Sequence, residues 1–364
     1  MGLVGLPRAG KSTVFDALVR SSGAQAAAGR TFAGLTPRVA TVKVPDPRLG
    51  VLAEMYHPRK VTPAEVEYSD VPRLAAEAQP GTRQAPGYLA QLRQVDALLH
   101  VVAGFDAADL AGLPAAMAAR AQEGATELAL ADLLIAEGRL ERLGGEIRKL
   151  PAAERAARER EREALERVRA QLDAGGVVRD LTFTPEEERL LRGYGFLTGK
   201  PTLLVANLDE ASWPAREAVE AALRAAQAHA GTGVVSLMAQ WEAELAELEP
   251  EEAAAFRESL GLAEPAAERV LAEMYQVAGL VSFLTAGEDE VRAWPVPRGT
   301  LAPEAAGTIH SDFQKAFIRA EIVPYDDLVR LGTWAAARTA GALRQVGKDY
   351  AMQDGDVTHF LAGR

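Results

Sequence analysis

The residues whose types and spacing could do chemistry stand at the start of the chain, in the run GLPRAGKST at positions 5–13. Gly5, Gly10, Lys11 and Ser12 occupy the fixed places of the pattern G-x-x-x-x-G-K-[ST]. Glycines let a backbone wrap closely around an anion, and the amides at a helix N-terminus attract negative charge. Lys11 would reach the β and γ phosphates of a nucleotide, and the Ser12 hydroxyl would bind Mg²⁺. The run therefore predicts a nucleoside-triphosphate site between a short apolar strand and a helix.

Three other residues of this run belong to the predicted nucleotide site. Ala9 lies inside the loop, and Thr13 lies in the first helical turn, near the α-phosphate. Arg8 either points at a phosphate or faces solvent. We assign the catalytic role to Lys11, because its ammonium group would stabilise the negative charge of a phosphoryl group in transfer.

Two later features would complete the site. Asp70 ends the strand-like run VEYSD and would act on the magnesium shell, although an aspartate there can also be a cap or turn residue. Asn207 begins the run NLDE, which follows TLLVAN directly and suggests a purine-recognition loop. The guanine-binding version reads N-K-x-D, whereas here Leu208 replaces the lysine and Glu210 replaces the aspartate. Glu210 is one methylene longer and cannot hold guanine in the same way, so the predicted ligand is ATP or GTP, and a preference for ATP fits without following from the sequence; an ordinary polar loop is the alternative.

These groups need a scaffold, and the runs between them predict a doubly wound, mostly parallel sheet with helices on both faces. Predicted strands are apolar or β-branched runs that alternate with helical stretches. They lie at residues 41–44, 66–70, 97–102, 202–207 and 233–237.

A long stretch rich in Ala, Leu, Glu and Arg, at about residues 127–173, interrupts this alternation. Its leucines, with an isoleucine and a valine, recur at spacings of three and four on both sides of Pro151, which predicts an antiparallel helical hairpin with an apolar seam. The seam residues are Leu140, Leu143, Ile147, Leu150, Leu165, Val168 and Leu172. The charged run after Pro151 is either a solvated helix face or a basic ridge that contacts RNA. The candidate phosphate contacts are Arg155, Arg158, Arg160, Arg162, Arg169, Arg292, Lys315 and Arg319.

From about Leu280 the sequence pattern changes to that of short strands and helices, which predicts a separate small α+β domain. The net charge of −11 argues against a protein that coats nucleic acid over its whole surface, and nothing points to reading of a DNA sequence. There are no cysteines, no apolar run long enough to cross a membrane and no signal-peptide pattern. We expect a cytoplasmic monomer.

With these motifs in order, the sequence resembles the YchF family of Obg-like ATPases over nearly the whole chain. GLPRAGKST is similar to the family's GLPNVGKST, VPDPRL and NLDE match its motifs, and FLTAGEDEVRAW and GKDYAMQDGDVTHF look like its C-terminal TGS domain, a β-grasp fold. The resemblance implies a P-loop nucleotide domain at 1–122 and 196–278, an inserted coiled coil at 123–195 and a TGS domain at 279–364. It also implies ATP hydrolysis with Mg²⁺ and association with ribosomes. Through the segment VVSLMAQW it places Ser236 and Leu237 at the nucleotide.

The sequence departs from the family pattern at two positions that would sense the γ-phosphate. Gly34 stands where the family has a threonine that could bind Mg²⁺, and Arg73 replaces the glycine of D-x-x-G. Leu74 occupies the place of the catalytic glutamine of related GTPases. Two hypotheses remain open: a slow Mg²⁺-dependent nucleoside triphosphatase, and a ribosome- or RNA-binding module that binds nucleotide without meaningful turnover. A metabolic P-loop kinase is a weaker third, and His100, inside an apolar strand, is interpreted as a core residue.

Overall fold

The computed structural model describes residues 1–31, 35–72, 86–105, 107–259 and 264–363. The chain divides into two compact units. The N-terminal unit comprises Met1–Thr41 and Glu67–Val277, and the C-terminal unit comprises Val42–Val66 and Ala278–Arg364.

The described residues form strands and helices in alternation. The strands are β1 (Gly2–Val4), β2 (Ala27–Ala28), β3 (Arg38–Lys43), β4 (Lys60–Thr62), β5 (Glu65–Asp70), β6 (Leu98–Ala103), β7 (Thr202–Asn207), β8 (Thr232–Leu237), β9 (Leu280–Ala286), β10 (Glu290–Pro297), β11 (Phe317–Pro324), β12 (Arg344–Val346) and β13 (Asp356–Ala362). The helices are α1 (Lys11–Ser21), α2 (Pro47–Tyr56), α3 (Pro86–Leu92), α4 (Leu113–Glu146), α5 (Ala152–Asp173), α6 (Pro185–Leu191), α7 (Arg216–Ala226), α8 (Ala239–Leu245), α9 (Pro250–Ser259), α10 (Ala266–Val277), α11 (Ala302–Ile309), α12 (Ser311–Lys315), α13 (Tyr325–Leu331) and α14 (Trp334–Thr339). Within these described helices, none has the length and apolar content that crossing a bilayer requires.

The N-terminal unit is built on a sheet of order β2-β3-β5-β1-β6-β7-β8. β1 pairs in parallel with β5 and β6, and β7 pairs in parallel with β6 and β8. Helix α4 contacts α7, whereas α1 contacts α8 and α10, so the helices form two packed groups around the sheet. This confirms the predicted doubly wound sheet. The five predicted strands are all present, within three residues of the expected ends.

The predicted helical hairpin is also confirmed, although its first arm, α4, begins at Leu113, well before residue 127. Leu143, Ile147, Leu165, Val168 and Leu172 are buried in one apolar cluster between α4 and α5. The arms therefore pack through the seam that their spacing indicated.

The arginines of α5 are largely occupied by acidic neighbours. Arg158 donates to the buried Glu161 at 2.7 Å, and Arg160 pairs with Glu186 at 2.8 Å. Burial alone would raise the pKa of Glu161, but hydrogen bonds from Arg139, Tyr194 and Arg158 outweigh it and hold the pKa at about 2. These contacts fit the interpretation of α5 as a mixed-charge helix face.

The C-terminal unit is a mixed sheet of order β12-β11-β13-β9-β10-β4. Helix α11 packs on one face, against Val281 and Phe283, and α13 and α14 belong to the cluster of Leu284 and Val323 on the other face. The predicted small α+β domain is thus present.

Residues 42–66 were expected to lie in the nucleotide domain, but they pack with the C-terminal unit. β4 pairs in parallel with β10, and Leu49 and Leu52 of α2 are buried with Leu284 and Val291. The reason is that the apolar side of α2 packs against strands β9 and β10, which lie more than 200 residues further along the chain. No local pattern indicates such a partner.

Candidate nucleotide-binding site

The loop that follows β1 turns away from the sheet at Gly5. Gly5 has a φ of +148°, and a Cβ atom there would lie 2.4 Å from the carbonyl oxygen of Val101 in β6. Any side chain would therefore push the loop off its neighbouring strand. The glycine is needed for the close approach of two backbones, as the motif predicts.

Gly10 ends the loop and begins helix α1. It has a φ of +84°, and a Cβ atom would lie 2.3 Å from Nδ2 of Asn207. Asn207 donates this amide to the Ala9 carbonyl at 3.3 Å, and its Oδ1 accepts from the backbone of Ala239 at 3.3 Å. Asn207 therefore ties the phosphate loop, the end of β7 and the start of α8 together. Ala9 is buried at the centre of this clamp.

The side chains predicted to meet phosphate surround the start of α1. The Lys11 ammonium group donates to the carbonyls of Gly5 and Leu6 at 3.3 and 3.2 Å, which holds it over the loop. Ser12 and Thr13 are exposed in the first turn of the helix, which has no side-chain N-cap among the described residues. Arg8 is exposed with a φ of +62°. Uncapped amides and one ammonium group together form an environment for a polyphosphate.

Asp70 lies at the carboxyl end of β5, next to β1, and is 5% exposed. Its carboxylate is 3.8 Å from a guanidinium nitrogen of Arg38, the first residue of β3. Arg38 also donates to Asp16, which lies one helical turn after Ser12 in α1. The structure therefore places the predicted magnesium-shell residue beside an arginine that the motifs did not indicate.

A cavity of about 840 Å³ opens beside the phosphate loop. It combines apolar walls with several carboxylate and amide groups, as small-molecule sites do. Its lining residues are Gly10, Thr13, Phe105, Asn207, Leu208, Asp209, Glu210, Ala211, Pro214, Gln240, Trp241 and Glu244. One cavity thus brings together residues of the loop motif and of NLDE, which lie nearly 200 residues apart.

Within NLDE the four residues do different things. Leu208 is buried, and its backbone donates to the Leu237 carbonyl at 2.9 Å. Asp209 accepts from the backbone of Ser212 at 2.9 Å, which fixes the turn after β7. Glu210 is exposed on the cavity wall. Asp209 also lines the cavity, but its carboxylate is engaged in the turn.

Ser236 and Leu237 are buried in β8 and do not line this cavity. The cavity is lined instead by Gln240 and Trp241 of α8, a few residues further on, and by Phe105 after β6. Phe105 lies outside every motif, and Gln240 and Trp241 lie within the segment VVSLMAQW but were not predicted to belong to the site. Their position after the carboxyl ends of parallel strands, where α/β sheets bind ligands, is the signal that could have found them.

His100 is 3% exposed in β6, against helix α4. A Cβ atom on Gly124 of α4 would lie 2.4 Å from the imidazole Nε2, so the glycine makes room for the ring. Burial, with a smaller contribution from the charge of Lys11, lowers the pKa of His100 to about 4. A neutral, enclosed imidazole agrees with the core interpretation.

The two positions predicted to sense the γ-phosphate, Gly34 and Arg73, lie outside the described residues, as does Leu74.

The comparisons with known proteins agree with this fold. Residues 280–363 match a family model named YchF-GTPase_C and described as "Protein of unknown function (DUF933)". Over 361 residues the chain is 39% identical to the "Ribosome-binding ATPase YchF" of Haemophilus ducreyi, covering 99% of this chain and 98% of that protein. It is 30% identical over 367 residues to "Obg-like ATPase 1" of Oryza sativa subsp. japonica, covering 99% and 91%.

A solved structure shows the same fold over the full length. The chain superimposes on the structure titled "Structure of the Schizosaccharomyces pombe YchF GTPase" with a TM-score of 0.79 and 29% identity, covering 99% of this chain and 97% of that one. Sequence identity, full-length coverage and fold therefore agree, and this chain belongs to the YchF family of Obg-like ATPases.

Proposed function

We propose that this protein binds ATP with Mg²⁺ at the loop of residues 5–13 and uses the nucleotide to control its association with ribosomes. The observation that carries the proposal is the single cavity that Gly10 and Thr13 share with Asn207 and Glu210. A triphosphate on the loop would place its base against the NLDE wall. The names of the relatives, which include ribosome binding and ATPase activity, support the same function.

The side chains divide the work of holding the phosphates. Lys11 would leave the loop carbonyls and pair with the β and γ phosphates, since a charged donor gains more from a phosphate than from a carbonyl. Ser12 and Asp70 offer hard oxygen donors, which fit Mg²⁺ because this ion takes one or two protein oxygens together with phosphate and water. The ion, when bound, would neutralise charge on the phosphates.

The base pocket favours a purine, and we propose that it prefers adenine. Phe105 and Trp241 offer flat aromatic surfaces, and Glu210 offers a carboxylate that can accept from an amino group. Gln240 donates to Glu244 at 3.1 Å, so its amide orientation is already fixed. The longer reach of Glu210 does not suit the paired donors of guanine.

We expect ATP to bind about tenfold more tightly than GTP, which corresponds to about 1.4 kcal/mol. Calorimetric titration with each nucleotide, with and without Mg²⁺, measures this. Glu210→Asp should reduce the difference between the ATP and GTP affinities by improving GTP binding. Glu217→Asp makes the same change at an 87% exposed side chain outside the cavity and should have no effect. Equal affinities of the wild type for ATP and GTP would contradict the assignment of the base.

For turnover, we propose slow hydrolysis, because the sequence has Gly34 and Arg73 in place of the residues expected to contact Mg²⁺ and the γ-phosphate. The alternative is a module that binds nucleotide without hydrolysing it, and the same two positions support it. A single-turnover phosphate-release assay separates the two. A rate of phosphate release comparable to that of ordinary family members would contradict both slow hydrolysis and nucleotide binding without hydrolysis.

For the partner, we propose a ribosomal surface, contacted through local basic groups despite the net charge of −11. Several α5 arginines are already paired with carboxylates. The stronger candidates are Lys315 and Arg319 of the C-terminal unit, which form no ion pair with any described residue.

We expect the fraction of this protein that co-sediments with ribosomes to fall steeply between about 50 and 200 mM salt, because phosphate contacts release counterions. The double variant Lys315→Ala/Arg319→Ala should have a smaller co-sedimenting fraction than the wild type at the same salt concentration, whereas Arg160→Ala should match the wild type. Co-sedimentation that is independent of salt would contradict an RNA-facing contact.

A further inference from the structure

We propose that Arg38 is a resident counter-cation of Asp70, which competes with Mg²⁺ for that carboxylate and weakens the dependence of nucleotide binding on the metal. The inference rests on the proposed function and concerns the same site. It gives a role to a residue to which the sequence motifs assign none.

Three contacts fix the Arg38 side chain at this place. One guanidinium nitrogen donates to Asp16, and the other lies 3.8 Å from Oδ2 of Asp70. The guanidinium carbon lies 4.8 Å from the centre of the Phe15 ring, within the range of a cation–π contact. The arginine is therefore attached to both the phosphate-binding helix α1 and the end of β5.

The two carboxylates differ in how much they depend on this arginine. The Asp16 side chain is 34% exposed, so solvent can reach its carboxylate, whereas the Asp70 side chain is 7% exposed. Among the described residues, Arg38 is the cation recorded within ion-pair distance of Asp70. A buried carboxylate needs a compensating partner, so Asp70 gains most from the pairing.

Mg²⁺ bound beside Ser12 would draw on the same carboxylate. Asp16 lies four residues after Ser12, hence on the same face of α1, and this places Arg38 on the magnesium side of the loop. Mg²⁺ and the guanidinium would compete for the charge of Asp70, so an ion held there would weaken the pairing with Arg38. Mg²⁺ would raise the affinity for ATP, but part of that gain would be offset by the weakened ion pair between Arg38 and Asp70, because the two binding events are thermodynamically linked.

The quantity to measure is the ratio of two ATP dissociation constants, one in EDTA and one in excess MgCl₂, obtained by calorimetry. Arg38→Gln should raise this ratio about fivefold, the size expected for one partly exposed ion pair. Arg38→Lys keeps the positive charge and should restore a ratio close to that of the wild type. Thermal unfolding of each variant checks that it is folded.

The matched control is Arg20→Gln. Arg20 belongs to α1, the helix that Arg38 contacts through Asp16, and forms an exposed ion pair with Glu247 at 2.6 Å. Its loss should leave the ratio unchanged. An Arg38→Gln ratio equal to that of the wild type, with ATP still bound, would overturn the role of Arg38 alone. A wild type that binds no ATP in either solution would overturn the proposed function together with this inference.

Discussion

Replacing Lys11 by alanine should weaken ATP binding about 100-fold and leave the fold intact. The ammonium group is held over the loop by the carbonyls of Gly5 and Leu6, where a phosphate would meet it. A charge-assisted contact to phosphate contributes about 1.5–3 kcal/mol, and about 2.7 kcal/mol corresponds to 100-fold. Calorimetric titration of ATP in the presence of Mg²⁺ measures the loss.

The control for this variant removes a lysine elsewhere. Lys60 is 68% exposed and pairs with Glu290 at 3.6 Å in the C-terminal unit, so Lys60→Ala should bind ATP like the wild type. Circular dichroism should show unchanged helix content in both variants, because Lys11 is partly exposed and supports no apolar core. Undiminished ATP binding by Lys11→Ala would remove the phosphate loop from the account of this protein.

Replacing Gly10 by alanine should both destabilise the N-terminal unit and abolish tight ATP binding. An alanine at a φ of +84° costs about 1–2 kcal/mol in backbone conformation alone. The new methyl group would also lie 2.3 Å from the Asn207 amide, which is buried and cannot move without releasing the Ala9 carbonyl. We therefore expect a total loss of about 3 kcal/mol in unfolding free energy, since strain and overpacking add.

A matched glycine separates these two costs. Gly23 has a φ of +68°, and a Cβ atom there would meet nothing within 4 Å. Gly23→Ala should therefore lose only the conformational cost and keep its affinity for ATP. Chemical denaturation and ATP titration of both variants make the comparison. If Gly10→Ala were no worse than Gly23→Ala, the clamp between the loop and Asn207 would have no importance.

Much of the fold followed from local patterns. The run TLLVAN, which ends at Asn207, is a strand buried along its whole length, and such a strand needs a continuous, largely apolar sequence because both of its faces are covered. The spacing of leucines around Pro151 predicted the hairpin because side chains three and four apart share one helix face. The phosphate loop was recognisable because its chemistry needs fixed residue types at fixed spacing within nine positions.

The base pocket was only partly predictable. NLDE placed Asn207 and Glu210 at the cavity, but Asn207 turned out to be a clamp, with its amide on the Ala9 carbonyl. Phe105 lies outside every motif, and Trp241 was not predicted to belong to the site although it ends the segment VVSLMAQW, since any aromatic residue after a strand end can line a pocket. Ser236 and Leu237, taken from the resemblance, lie in the strand behind the cavity.

The sequence by itself determined the phosphate loop, the parallel strands and the helical hairpin, because each depends on residues that are close together in the chain. Only the tertiary structure decided which distant groups meet: Asn207 with Gly10, Arg38 with Asp70, and residues 42–66 with the C-terminal sheet. The physical reason is that side-chain packing and ion pairing depend on distance in space, and a one-dimensional pattern holds no record of partners far along the chain.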